Sequence, residues 1–156
     1  MQTLLRALAV TILAVPALAF SAAEPPPPAM QALPEIKGVL SWNTLAQVKQ
    51  TKVKNRILTE FSKEITALNN REVKLQGFMM PLEPGDKQKH FLLSLTPPSC
   101  SYCMPAGPEG VVEVKSKTPI KYTFDPIIVS GKMSVLKDDP MGMYYRLTDA
   151  APASIK

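Results

Sequence analysis

From Glu72 onward the chain reads with a period of two. Val73 and Leu75 fall on one side of an extended backbone and Lys74 and Gln76 on the other. Successive side chains of a strand point to opposite faces, so this segment predicts a half-buried β-strand. After Gly77 the phase is lost, because Phe78, Met79, Met80 and Leu82 are all apolar. A glycine at such a change predicts a bulge or sharp coil, as where one strand serves both halves of a small barrel. Pro81 and then Glu83-Pro84-Gly85-Asp86 bring the turn chemistry that closes the strand. A second apolar strand is predicted at His90–Leu95 and a third at Val111–Lys115. Ile120–Phe124 either extends the third past Lys117-Thr118-Pro119 or pairs separately. Ile127–Val135, around Ser130-Gly131-Lys132, makes a fourth strand and Tyr144–Leu147 a fifth. Ahead of them Ser41 can cap a short helix in which Trp42, Leu45 and Val48 share one face, with Trp42, the single tryptophan, as a packing anchor. One or two short N-terminal helices and five short strands predict a mostly β chain. The expected form is a small, mostly antiparallel five-stranded barrel of the oligonucleotide/oligosaccharide-binding (OB) type, with an open β-sandwich as the competing architecture.

The front of the chain reads as an export signal. Residues 1–23 combine the lone charge of Arg6, an apolar run from Ala7 to Leu18 and the small residues of Ala17-Leu18-Ala19 or Ser21-Ala22-Ala23, which place a mature start at Phe20 or Glu24. The run is short for a bilayer span and is interrupted by Pro16. Pro25, Pro26, Pro27, Pro28 and Pro34 make residues 24–40 a proline-rich linker, since consecutive prolines fix φ and remove amide donors. The barrel domain is expected over residues 41–150 and a flexible tail over 151–156. Of the 18 basic residues only Arg6 leaves with the signal, so 17 face 13 acids and the net charge falls from +5 to +4. That mild excess suits weak contact with anionic surfaces, a membrane surface included, and is no nucleic-acid signature. Lys49, Lys52, Lys54 and Arg56 concentrate four positive charges in eight residues, read as a solvated face or as a contact for lipid headgroups or an acidic partner.

The two cysteines, Cys100 and Cys103, stand three apart in Pro97-Pro98-Ser99-Cys100-Ser101-Tyr102-Cys103-Met104-Pro105. In an oxidising compartment such a pair forms a disulfide, exchanges it with a partner, or holds a soft metal. A structural disulfide closing so short a loop would contribute about 2 kcal/mol on the chain-entropy account. A thiol–disulfide oxidoreductase would use Cys100 as nucleophile and Cys103 as resolving thiol. The flanking Pro105 and Gly107 argue against the helix start that activates such a thiol. As a metal site the pair supplies half of a tetrahedral zinc centre, and His90 is the only histidine. Copper(I) could draw on Met79, Met80, Met104, Met133, Met141 and Met143, although methionines in strands read first as core filler. The metal-ligating set is therefore Cys100, Cys103, Met104 and His90, for copper(I) or zinc. No serine stands in a Gly-x-Ser-x-Gly setting, no glycine-rich phosphate loop is present, and Asp138-Asp139-Pro140 reads as an acidic turn. No catalytic residue is assigned.

Gly77-Phe78-Met79-Met80-Pro81-Leu82, Phe91-Leu92-Leu93, Cys100-Ser-Tyr-Cys103-Met-Pro105-Ala-Gly107-Pro108-Glu109 and Val129-Ser-Gly131, in that order and preceded by Trp42-Asn-Thr-Leu45, resemble a family of small bacterial exported proteins known as a domain of unknown function. The resemblance covers about residues 41–149. It implies a periplasmic barrel-like domain, often encoded near transporter components of the ATP-binding-cassette (ABC) type, and brings no activity with it. The resulting expectation is a periplasmic, non-enzymatic accessory or binding protein that presents the Cys100–Glu109 loop to an ABC-type transporter or other envelope protein, or that takes part in metal handling. The oxidoreductase is the alternative.

Overall fold

Ser41 starts the first helix as the sequence suggests: its Oγ accepts from the Asn43 amide at 3.1 Å and caps α1, Trp42–Leu45. The computed structural model describes residues 33–54, 56–98 and 107–155. The helix stops after one turn, and Val48, expected on its apolar face, instead opens β1 (Val48–Val53). β1 pairs antiparallel with β2 (Arg56–Phe61) from Val48↔Phe61 to Val53↔Arg56. This hairpin is absent from the sequence reading, which followed the helix to Val48 with a charge run and assigned no strand before Glu72. The reversal passes through Lys54 at φ 54°, the left-handed conformation that tight hairpin turns require. A second short helix, α2 (Lys63–Ala67), is capped by Ser62, whose Oγ accepts from the Ile65 amide at 3.2 Å.

The remaining strands are β3 (Glu72–Pro81), β4 (Lys87–Ser94), β5 (Val111–Lys121), β6 (Ile127–Val135) and β7 (Tyr145–Pro152). They close into a barrel in the order β3-β4-β5-β7-β6, with β5 and β7 parallel and the other pairs antiparallel. Counted within the barrel, that order is 1-2-3-5-4, the connectivity of an OB-type barrel and not of an open sandwich.

Gly77 performs the role its position predicts. On its N-terminal side β3 pairs with β6, from Glu72↔Lys132 to Gly77↔Ile127; from Phe78↔Ser94 onward it pairs with β4. A β-carbon at Gly77 would stand 2.7 Å from Leu93 Cγ and 2.8 Å from the Ser94 carbonyl oxygen, so only glycine lets the strand coil this tightly. Pro119 does not divide β5. It falls between the registered pairs His90↔Lys115 and Gln88↔Ile120, in a stretch with a register shift, where a residue lacking an amide hydrogen is tolerated. β7 runs to Pro152, beyond the predicted end at Leu147, because Ser130 and Val129 of β6 pair with Ala151 and Pro152.

Leu75, Met79, Phe91, Leu93, Val112, Val114, Val129, Met133, Tyr145 and Leu147 fill the barrel. Each contributes roughly 1.5–3 kcal/mol on burial before the cost of ordering it. Met79 and Met133 are thus packing residues of the interior. Leu45 of α1 and Ile65 of α2, both fully buried, belong to the same cluster. Two polar contacts fix this end of the fold: Trp42 Nε1 donates to the Gln76 carbonyl at 2.8 Å, and the Tyr145 hydroxyl donates to the Leu45 carbonyl at 2.6 Å. Burial pushes the Tyr145 phenol well above its ordinary pKa, with Glu109 and Tyr144 adding to the shift.

Candidate functional site

A register shift between Gln88 and His90 in the β4–β5 ladder changes the phase of β4. Before it, Gln88 is buried; after it, Phe91 and Leu93 enter the core and His90 stands outside. On β5, Val112 and Val114 are core residues, so Glu113 between them belongs to the outer face. The parallel partner of Glu113 across the next ladder is Arg146 on β7. Three strands therefore deliver His90, Glu113 and Arg146 to one patch of the barrel exterior.

Glu113 is the hub of this patch, with its side chain only 11% exposed. Oε1 lies 2.8 Å from His90 Nε2 and 3.6 Å from Lys115 Nζ, while Oε2 accepts from Arg146 Nε. Arg146 Nη2 reaches Asp139 Oδ1 at 3.2 Å, and Asp139 Oδ2 accepts from the Met141 and Met143 amides at 2.9 and 3.2 Å. The loop between β6 and β7 is thereby tied to the sheet face. Burial by itself would raise the pKa of Glu113. Hydrogen bonds from Arg146 and His90, with the charges of Arg146 and Lys115, outweigh that effect and hold it below its ordinary value. Asp139 is likewise lowered: desolvation opposes the shift, and the two amides and Arg146 prevail. The pKa of Arg146 is raised by its hydrogen bond to Glu113, against its own desolvation. Each carboxylate oxygen of Glu113 and Asp139 is engaged by a donor or cation, so the two carboxylates act as an ionic strut that ties β4, β5, β7 and the loop before β7 together.

Beyond the strut, β4 and β5 form a basic ribbon. Lys87 stands directly opposite Lys121, and His90 directly opposite Lys115; Lys89 and Lys117 are exposed on the same two strands. Lys117 Nζ is 3.6 Å from Asp149 Oδ1. Among the described residues Lys87, Lys89 and Lys121 have no acid within ion-pair distance.

Of the residues singled out from the sequence, His90 lies in this site. Cys100, Cys103 and Met104 lie outside the described residues. The feet of their loop are in place: the Leu95 amide donates to the Gly110 carbonyl at 3.0 Å, and a 3-10 turn, Pro108–Gly110, leads into β5 two residues before Glu113. Among the described residues no group of three or more His, Cys, Asp or Glu side chains is arranged to hold a metal ion. Met80 is half-buried and Met141 exposed, both apart from the interior methionines. Sequence reasoning missed Glu113, Asp139 and Arg146 as partners. The available signal was Glu113 itself, one charge inside the valine run Val111-Val112-Glu113-Val114, where an outward strand position must find a cation or water. Asp139 does hold a turn, as expected, and Arg146 gives it a second role.

The profile of a family described as "Protein of unknown function (DUF3299)" matches residues 34–149. The crystal structure of a DUF3299 family protein from Pseudomonas aeruginosa PAO1 is similar with 24% sequence identity and a TM-score of 0.49, over 63% of this chain and 69% of that one. The comparison with curated proteins returned no match.

Proposed function

Since the chain belongs to the DUF3299 family, whose members share a domain of unknown function, membership brings no activity, and we propose its role from the barrel exterior. The protein is a non-enzymatic accessory protein of the periplasm that binds an acidic surface on an envelope partner, such as a component of an ABC-type transporter, through the outer face of β4 and β5. The observation that carries this reading is the unrelieved pairing of Lys87 with Lys121. Like charges directly opposite on a ladder are destabilising, and an approaching acidic surface relieves them. The Glu113 strut supports the reading from beside it, because a recognition face gains affinity when its side chains are ordered before the partner arrives.

Site-specific photo-crosslinking in intact cells tests this. A photoreactive residue replacing Lys115 should give one discrete adduct with an envelope protein, and Lys87→Glu with Lys121→Glu should abolish it. An adduct from Lys132 on β6 with none from Lys115, or an adduct indifferent to the charge reversal, overturns the proposal. Fractionation should place the processed chain in the periplasm; retention in the cytoplasm would do equal damage.

A further inference from the structure

The β1–β2 hairpin stands apart from the barrel sheet: its strands pair with each other and form a separate two-stranded sheet. Its base is fastened. Gln50 Nε2 donates to the Tyr144 hydroxyl at 2.6 Å, and the Phe61 ring packs edge-on against Tyr144 with centroids 5.6 Å apart and tilted against Tyr145 at 6.0 Å. Toward the turn Thr51, Lys52 and Lys54 are exposed, and so is Leu58, 47% accessible and directly opposite Thr51. Lys49 is exposed as well but stands directly opposite the exposed Glu60, so the unopposed charge of the hairpin is that of Lys52 and Lys54, neither of which has an acid within ion-pair distance among the described residues.

We infer that this hairpin is an electrostatic arm that docks the protein on a bilayer surface rich in anionic phospholipid. From Gln50, the last barrel-anchored position of β1, to Lys54 is about 13 Å of extended chain. That exceeds the roughly 8 Å over which exposed charges act at physiological ionic strength. Lys54 at the turn is therefore screened from the barrel's acids, and Lys52, about 7 Å along the strand, is exposed with no acid within ion-pair distance among the described residues. A specific protein partner needs on the order of 1,000 Å² of complementary surface, which a two-stranded tip does not offer. Phosphate headgroups ask only for concentrated positive charge, and a neighbouring apolar side chain such as Leu58 adds shallow insertion. The inference is independent of the β4–β5 reading, since it uses other residues on another sheet.

The test is co-sedimentation of the protein, as recovered from cells, with vesicles of mixed phosphatidylglycerol and phosphatidylcholine, against vesicles of phosphatidylcholine alone. Binding should need the anionic lipid and fall with added salt. Each lysine near an anionic surface is worth roughly fivefold in partitioning, so Lys52→Gln with Lys54→Gln should weaken binding about 25-fold at unchanged thermal stability. Leu58→Ser should lower partitioning further, while Lys87→Gln with Lys121→Gln leaves most of it intact. Equal partitioning to both vesicle types, no loss in the Lys52/Lys54 variant, or loss confined to the Lys87/Lys121 variant would each sink the inference. So would an arm that crosslinks from Lys54 to an acidic protein and ignores vesicles.

Discussion

Replacing Glu113 by glutamine keeps the shape of the side chain and removes the charge that organises the exterior face. Removing one member of a fully buried ion pair costs about 3–5 kcal/mol, because the partner is left uncompensated. Here the partner is better off: Arg146 is 26% exposed and keeps Asp139 at 3.2 Å. The expected loss is accordingly about 2 kcal/mol at neutral pH, or about 8 °C in Tm for a domain of this size. Acid should shrink that difference. Glu113 has a folded pKa below its unfolded value of 4.5, so its contribution is complete above pH 4.5 and is lost as pH falls through the folded value. The neutral amide of the variant has no charge to lose over that range. Urea unfolding followed by circular dichroism, at neutral pH and at steps below 4.5, measures both quantities. A neutral-pH difference under about 0.5 kcal/mol, within the range of an ordinary surface change, would refute the account of Glu113 as the hub. A difference that does not narrow in acid would refute the electrostatic cause. Combining the change with Arg146→Met isolates the pair, and a coupling of at least about 1 kcal/mol is expected.

Gly77→Ala should cost about 3 kcal/mol, since the new β-carbon meets the Ser94 carbonyl at 2.8 Å and backbone cannot step aside as a side-chain tip can; an unchanged Tm would show that β3 does not coil as described. Tyr145→Phe removes the donor to the Leu45 carbonyl and leaves that buried oxygen unpaired, a loss of about 1–2 kcal/mol readable in the same urea titration. Tyr144→Phe spares the core and frees Gln50, so hydrogen exchange in Val48–Val53 should quicken while β3 to β7 stay protected; equal protection throughout would mean that the hairpin is held by other contacts.

What was legible in the chain was local. Alternation along Glu72–Gln76, the phase change at Gly77 and the turn at Glu83–Asp86 each act over a few residues, and each placed a barrel element correctly. The hairpin escaped notice because its faces are largely exposed and polar, with Lys49, Gln50, Thr51 and Lys52 in succession, and a strand that buries little carries no period-two hydrophobic signal. The ionic strut escaped for a different reason. His90, Glu113 and Arg146 are 23 and 33 residues apart and meet only because β5 pairs with β4 on one side and with β7 on the other.

By itself, then, the order of residues determined which segments of the barrel extend and where they turn, since those depend on neighbours along the chain. Which charges face one another was decided by closure: strand pairing sets both the distance between segments remote in sequence and the burial of the charges they carry, and the strength of an ion pair depends on both.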